Sequence, residues 1–270
     1  MTHIHRRFLW ATLFGLCLFA LAIASAGAVG TERVSISTGG VQPNGFSSVW
    51  DISDDGRYAL LYSNATNLVS PDANGSQLDV FVRDRVLGTT ELVDVSSAGV
   101  QANAGILNAP RMSSDGRFVL FYSSASNLVT GDTNSAWDVF VHDRDVDVDG
   151  MYGEAGQIST TRVSVTSTGG QIASSCDALA GALSDDGRHV AFWSNCTNII
   201  AGDTNAQTDV FARDRDTDGD GIFDEAGAAA NERLSVTTAG TQITGFGSSY
   251  PDKSADGSVV AFYSNAADLV

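Results

Sequence analysis

Ser53-Asp54-Asp55-Gly56-Arg57-Tyr58-Ala59-Leu60-Leu61-Tyr62-Ser63-Asn64 decides the fold, because the chain says it four times. It returns as SSDGRFVLFYSS from Ser113, as SDDGRHVAFWSN from Ser184 and as SADGSVVAFYSN from Ser254. The turn glycines Gly56, Gly116, Gly187 and Gly257 stand 60, 71 and 70 residues apart. A fixed period of this length marks a repeat architecture. Asp-Gly between apolar runs signals a tight hairpin, since Gly takes a positive φ without a Cβ clash. The six or seven residues after each glycine, rich in Val, Leu, Phe and Tyr, are too short and too β-prone for a helix.

Three more segments complete each repeat. A short run precedes the turn at 49–52, 110–112, 179–183 and 250–253. A polar connection follows the second strand and closes on Asn67-Leu68-Val69, Asn127-Leu128-Val129, Asn198-Ile199-Ile200 or Asp268-Leu269-Val270. A third strand reads DVFVRDR from Asp79, DVFVHDR from Asp138 and DVFARDR from Asp209. A fourth runs from Glu91, Thr161 and Glu232, and an isolated copy of it, ERVSISTGG, starts at Glu32. Four antiparallel strands per unit, without a helical period, predict an all-β chain: a β-propeller of four-stranded antiparallel blades with three complete blades and partial ones. A β-sandwich would not repeat its strands so literally, and a solenoid rung would be shorter. Residues 29–270 form this region. Val34–Ser37 is placed to complete the last blade, as ring closure requires, but that blade lacks a third strand, so the chain reads as a fragment of a longer propeller.

The phrase S-x-D-G-R-x-V-x-F-x-S, with N-L-V-x-G-D-T-N and D-V-F-V-R-D, resembles the WD40-like (PD40) repeat of TolB-type propellers. The likeness covers nearly all of Thr31–Val270. It implies the propeller fold and leaves activity open, since such propellers serve as periplasmic scaffolds, binding modules and companions of hydrolases.

Residues 1–28 read as a Sec-type signal peptide. A basic start (His3, His5, Arg6, Arg7) leads into an apolar run from Phe8 to Ala24, and Ala24-Ser25-Ala26 or Ala26-Gly27-Ala28 offers cleavage. An uncleaved anchor is the alternative. The expected location is secreted or periplasmic, without stable membrane insertion after cleavage. The formal charge of -17, with one lysine in the chain, makes nucleic acid an unsuitable partner and divalent cations the natural counter-charge.

With the repeat as an internal control, departures from it need reasons. Two insertions of about eleven residues separate third and fourth strands. Counted from Asp145 and Asp216, both read D-x-D-x-D-G, with Gly150 and Gly221 sixth. Such spacing turns alternate carboxylates toward one hard cation, and the glycine allows the bend that brings in the next carbonyl. The candidate calcium ligands are Asp145, Asp147, Asp149 and the Met151 carbonyl, then Asp216, Asp218, Asp220, the Ile222 carbonyl and Asp224. The first loop has Gly153 where the second has Asp224, so it is expected to bind more weakly. Counting from Asp214 instead places Glu225 twelfth, and a merely solvated acidic loop is the bland alternative. The metal role expected is structural.

Cys176 and Cys196 map by repeat spacing onto Gly105 and Ala125, and onto Gly45 and Ala65. Flanking an antiparallel pair in an exported chain, they are expected to form a disulfide, with two free thiols as the alternative. His142 replaces Arg83 and Arg213, and His189 replaces Tyr58 and Phe118, so both are read as packed or surface residues. Asp132-Thr133-Asn134 with Asp138, its copy from Asp203 and the related Asp72-Ala73-Asn74 with Asp79 are read as turn chemistry. Trp137 and Trp193 are read as packing residues, a sugar-lining role being the alternative. No catalytic residues are assigned. The functional expectation is a calcium-stabilised, non-catalytic binding or scaffold module for a protein or cell-envelope polymer. The alternatives are the propeller part of a secreted peptidase or glycosidase whose catalytic part lies beyond Val270, and chemistry in the propeller's own pocket. Self-association through an unclosed blade edge is a further expectation.

Overall fold

In the computed structural model, residues 30–270 apart from Asn108 are described. The signal-peptide reading of residues 1–28 lies outside them. Residues 33–270 form one compact unit. Its strands are β1 (Ser47–Ile52), β2 (Tyr58–Ser63), β3 (Asp79–Asp84), β4 (Thr89–Leu92), β5 (Arg111–Met112), β6 (Phe118–Ser123), β7 (Asp138–Asp143), β8 (Ser159–Arg162), β9 (Ala178–Leu183), β10 (His189–Ser194), β11 (Asp209–Asp214), β12 (Ala230–Arg233), β13 (Ser248–Lys253) and β14 (Val260–Ser264). They make three four-stranded antiparallel sheets, each in sequence order, and a two-stranded β13-β14 sheet. The first strands of successive sheets adjoin: β1 touches β5, β5 touches β9, and β9 touches β13. Consecutive meander sheets joined along their first strands are β-propeller blades.

The S-x-D-G-R phrase explains itself atom by atom. The Ser53 hydroxyl donates to Asp55 Oδ1 (2.6 Å), which also accepts from the Arg57 amide, while the Tyr58 amide donates back to Ser53 Oγ. Gly56 takes φ 71° in the bend. The arginine then leaves the turn and holds the last carboxylate of the third strand: Arg57 on Asp84, Arg117 on Asp143 and Arg188 on Asp214, at 2.7–2.8 Å. In the fourth copy Ser258 stands in the arginine's place. The turn glycine also meets the preceding blade. A Cβ on Gly116, at φ 84°, would lie 2.5 Å from the Tyr58 ring. Gly116→Ala is therefore expected to cost about 1–3 kcal/mol, read as a lowered urea midpoint, through backbone strain and overpacking together.

Second and third strands are apolar on both faces because blades pack on both sides. Leu60, Val80 and Val82 meet Val119, Phe121 and Phe140 in one cluster between the first and second blades. Leu120, Val139 and Val141 meet Phe192 and Phe211 in the next. Phe121 stacks on its cross-strand partner Phe140, and Phe192 on Phe211, with ring centroids 5.7 Å apart in both.

Two expectations are corrected. The fourth strands begin about two residues earlier than read and end at Leu92, Arg162 and Arg233. Just beyond, a side chain takes over from the backbone ladder: Asp94 Oδ1, Ser164 Oγ and Ser235 Oγ accept the amides of Val80, Val139 and Val210. The chain then turns away toward the next blade. The second correction concerns Val34–Ser37, which is not a strand and does not complete the last blade. It lies along the first, where the Ile36 carbonyl accepts the Thr90 hydroxyl and the Ser37 carbonyl accepts Arg83 Nη1. The segments after the first and second blades do the same to their successors: Val95 O accepts from Thr160, and Val165 O from Asn231.

Candidate metal centre

Each acidic insertion grows out of the hairpin between third and fourth strands, β7–β8 and β11–β12. Asp145, Asp147 and Asp149 form one group with carboxylate oxygens mutually within 4.8 Å, and Asp216, Asp218 and Asp220 form another. The first residue of each trio is buried and the other two are exposed. Asp145 accepts the amides of Asp149 and Gly150, and Asp216 accepts those of Gly219, Asp220 and Gly221, at 2.8–3.2 Å. Gly150 and Gly221 sit at φ 84° and 88°, so the bend falls where the spacing predicts it. Beyond it, the Met151 and Ile222 amides donate to Asp149 and Asp220.

Crowding shows in the protonation of these side chains. Desolvation and then the Asp149 charge push Asp147 above the usual carboxylate range. The hydrogen bond with Asp216, desolvation and the Asp220 charge do the same to Asp218. Asp216 itself is held below that range: desolvation pushes upward, but the Gly221 and Gly219 amides outweigh it. Three carboxylates with oxygens this close to one another are hard donors that fit a calcium-like cation.

Asp224 does not join its trio. Its carboxylate receives Arg213 Nε and Arg215 Nε, both at 2.8 Å. This pairing also explains the difference between the loops at Gly153. In the first loop the equivalent arginine, Arg144, is paired by Glu91 of the preceding blade (2.7 Å). Glu91 reaches it across Gly153, where a Cβ would lie 2.6 Å from its carboxylate. In the second loop Thr161 stands at the Glu91 position and Asp224 supplies the carboxylate. The two loops thus differ in how an arginine is neutralised, and the weaker binding expected of the first loses its basis.

Those arginines, with one aromatic each, fasten the loops, and sequence reasoning passed over them. Arg144 Nη1 donates to the Gly116 carbonyl (2.6 Å), and Arg215 Nη1 to that of Gly187 (2.8 Å). Tyr152 stacks on Tyr58 at 5.2 Å, with the Arg144 guanidinium against both rings. Phe223 meets Phe118 edge-on at 5.7 Å, under Arg215. Each acidic loop therefore clasps the blade before its own. The available signal was the aromatic that follows the loop glycine by two residues in both insertions.

The remaining candidates fall into structural roles. Cys176 and Cys196 form a disulfide, Cα atoms 5.1 Å apart. His142 is fully buried, its Nδ1 on the Thr160 hydroxyl at 2.8 Å, and burial followed by the Arg144 charge lowers its pKa to about 3. His189 Nε2 lies 3.7 Å from Asp214. Asp132 and Asp203 accept from Gln171 and Gln242, far along the chain, so these carboxylates tie distant segments together. The local turn bonds come from Asn134 and Asn205, whose Oδ1 atoms accept the Ala136 and Gln207 amides. Trp137 packs on Tyr122 and Trp193 on Tyr250.

Fold and site together define a β-propeller-bladed protein with two acidic, blade-clasping loops. No protein-family model matches the chain and no curated protein matches it. Among solved structures it is similar to TolB from Acinetobacter baumannii (16% identity, TM-score 0.41, 81% of this chain and 37% of that one) and to a putative TolB from Agrobacterium tumefaciens (17%, 0.41, 83% and 55%). It is also similar to the tricorn protease (12%, 0.38, 72% and 17%). The chain spans less than two thirds of each of these. The fold assignment rests on the sheet topology.

Proposed function

We propose that this chain is an exported, calcium-stabilised propeller module that binds a protein or cell-envelope polymer and does no chemistry of its own. The observation that carries the metal part is the pair of aspartate trios, each built into a loop that fastens one blade to the one before. Bound calcium would relieve the repulsion among three carboxylates, and Arg144-Tyr152 and Arg215-Phe223 would pass that order to the blade interface. Export is supported by the basic and apolar character of residues 1–28 and by the disulfide, which suits an oxidising compartment. No helix among the described residues is long and apolar enough to cross a membrane.

The test is thermal unfolding with millimolar calcium against chelator. Ligand at a hundred times its dissociation constant adds about 2.7 kcal/mol by linkage, a rise of several degrees. The gain is expected to shrink in acid, because protons compete for the same carboxylates. Asp218→Asn with Asp220→Asn, both exposed, should remove the second loop's share. Equal melting in calcium and chelator would defeat the metal reading.

A further inference from the structure

Blades two and three hold a buried carboxylate in the same way. Asp138 Oδ1 accepts the Ser164 hydroxyl (2.6 Å), and Asp209 Oδ1 that of Ser235 (2.5 Å). Arg162 Nη1 lies 3.4–3.5 Å from Asp132 and Asp138, and Arg233 Nη1 lies 3.5 Å from Asp203 and Asp209. In each blade a hydroxyl donor and a guanidinium serve two carboxylates.

The first blade makes the same turn with two replacements. Leu92 stands at the position of Arg162 and Arg233, and Asp94 at that of Ser164 and Ser235. A cation is removed and a third carboxyl is added beside Asp72 and Asp79. Asp94 is fully buried. Its Oδ1 accepts the Val80 amide at 2.9 Å, as the serines accept theirs. Its Oδ2 is buried without a hydrogen-bond partner, and the serines at its position in the other blades touch Asp138 and Asp209, the counterparts of Asp79. The other donors to Asp79 are the neutral amides of Asn74 (2.6 Å) and Gln101 (3.2 Å), and Gln101 also holds Asp72 at 3.1 Å. The charged group acting on the pair from the β2–β3 connection is Asp72. Beside Asp94 the chain supplies Val93, which packs with Val119, Phe121 and Phe140 of the second blade, and Leu92, which packs on the opposite side with Leu61, Ala65, Leu68 and Phe81. A metal is the poorer counter-charge: among the described residues, groups of three acidic side chains with mutually close oxygens occur only in the two loops.

Two neighbouring carboxylates in a low-dielectric site do not both ionise. We propose that Asp79 and Asp94 hold one proton between them, with Asp94 as the neutral acid donating where a serine hydroxyl donates in the other blades, so that the first blade loosens when this proton is lost. The electrostatics agree in direction. Burial and then the Asp79 charge push Asp94 well above the carboxylate range, and burial raises Asp79 despite its hydrogen bonds. An unfolded aspartate loses its proton near pH 4, whereas the native pair keeps one above that pH. The native state then binds more protons than the unfolded one, so stability falls as pH rises toward the folded value.

Melting temperatures of the wild type and Asp94→Asn, measured from pH 5 to pH 9 in chelator, test this. Asparagine keeps the acceptor for Val80 and presents a permanent donor to Asp79. The wild type should lose about 3–5 °C per pH unit relative to Asp94→Asn while the native pair alone retains its proton. Leu92→Arg with Asp94→Ser, which restores the donor set of the other blades, should remove the same pH-dependent loss. Parallel profiles for wild type and Asp94→Asn would overturn the shared proton. So would an alkaline loss that millimolar calcium repairs in a chain also carrying Asp218→Asn, Asp220→Asn, Asp147→Asn and Asp149→Asn, since a cation would then be the missing charge.

Discussion

Arg215→Ala is expected to destabilise the protein by about 3 kcal/mol, at the lower edge of what breaking a buried ion pair costs. The side chain is 3% exposed and serves three partners at once: the Asp224 carboxylate, the Gly187 carbonyl and the Phe223 ring. Removing it strips the Gly187 carbonyl of a donor but leaves Asp224 paired with Arg213, and that remaining pair is why the loss stays at the lower edge. At 2–4 °C per kcal/mol for a chain of this size, melting should fall by about 6–12 °C. Arg188→Ala is the control. That arginine and Asp214 are 31% and 25% exposed, so water screens the pair and its loss should shift melting little. If Arg215 holds the acidic loop as its contacts indicate, Arg215→Ala should also lower the calcium gain, whereas Arg188→Ala should not. Equal effects of the two substitutions would show that the clasp is not a fastening.

Opening the Cys176–Cys196 bridge is expected to cost about 3 kcal/mol, from the chain entropy of a loop of some twenty residues. The repeat supplies the comparison. In the first blade the same two positions are Gly45 and Ala65, which approach so closely that a Cβ on Gly45 would lie 2.9 Å from the Ala65 backbone. Cys176→Gly with Cys196→Ala therefore restores a packing the fold already uses and isolates the loss of the cross-link. Its melting, and that of the wild type in reductant, should both fall by about 6–12 °C. A variant as stable as the oxidised wild type would mean that the bridge adds nothing to the third blade.

The blades were legible because their signals are local. A Ser-x-Asp-Gly turn builds its own hydrogen bonds within five residues, and an apolar run of six has no other way to bury both faces than between two neighbours. The disulfide was legible for the related reason that two repeat positions changed together. The ends of the fourth strands were not legible, because their apolar alternation continues past Leu92 while Asp94, Ser164 and Ser235 divert the ladder. The role of Asp224 was hidden in the same way. Its spacing suits a metal loop, but Arg213 and Arg215 reach it first.

What the sequence determined by itself was the period, the hairpins, the alternation of the strands and the presence of two Asp-rich insertions, since each depends on residues near one another along the chain. Tertiary structure alone decided which charges meet. Glu91 comes to Arg144 from another blade, Gly153 matters because Glu91 lies against it, and Asp94 matters because folding buries it beside Asp79 with no arginine. Coulombic interactions reach through space between residues far apart in sequence, and the burial that sets their strength exists only after the blades have packed.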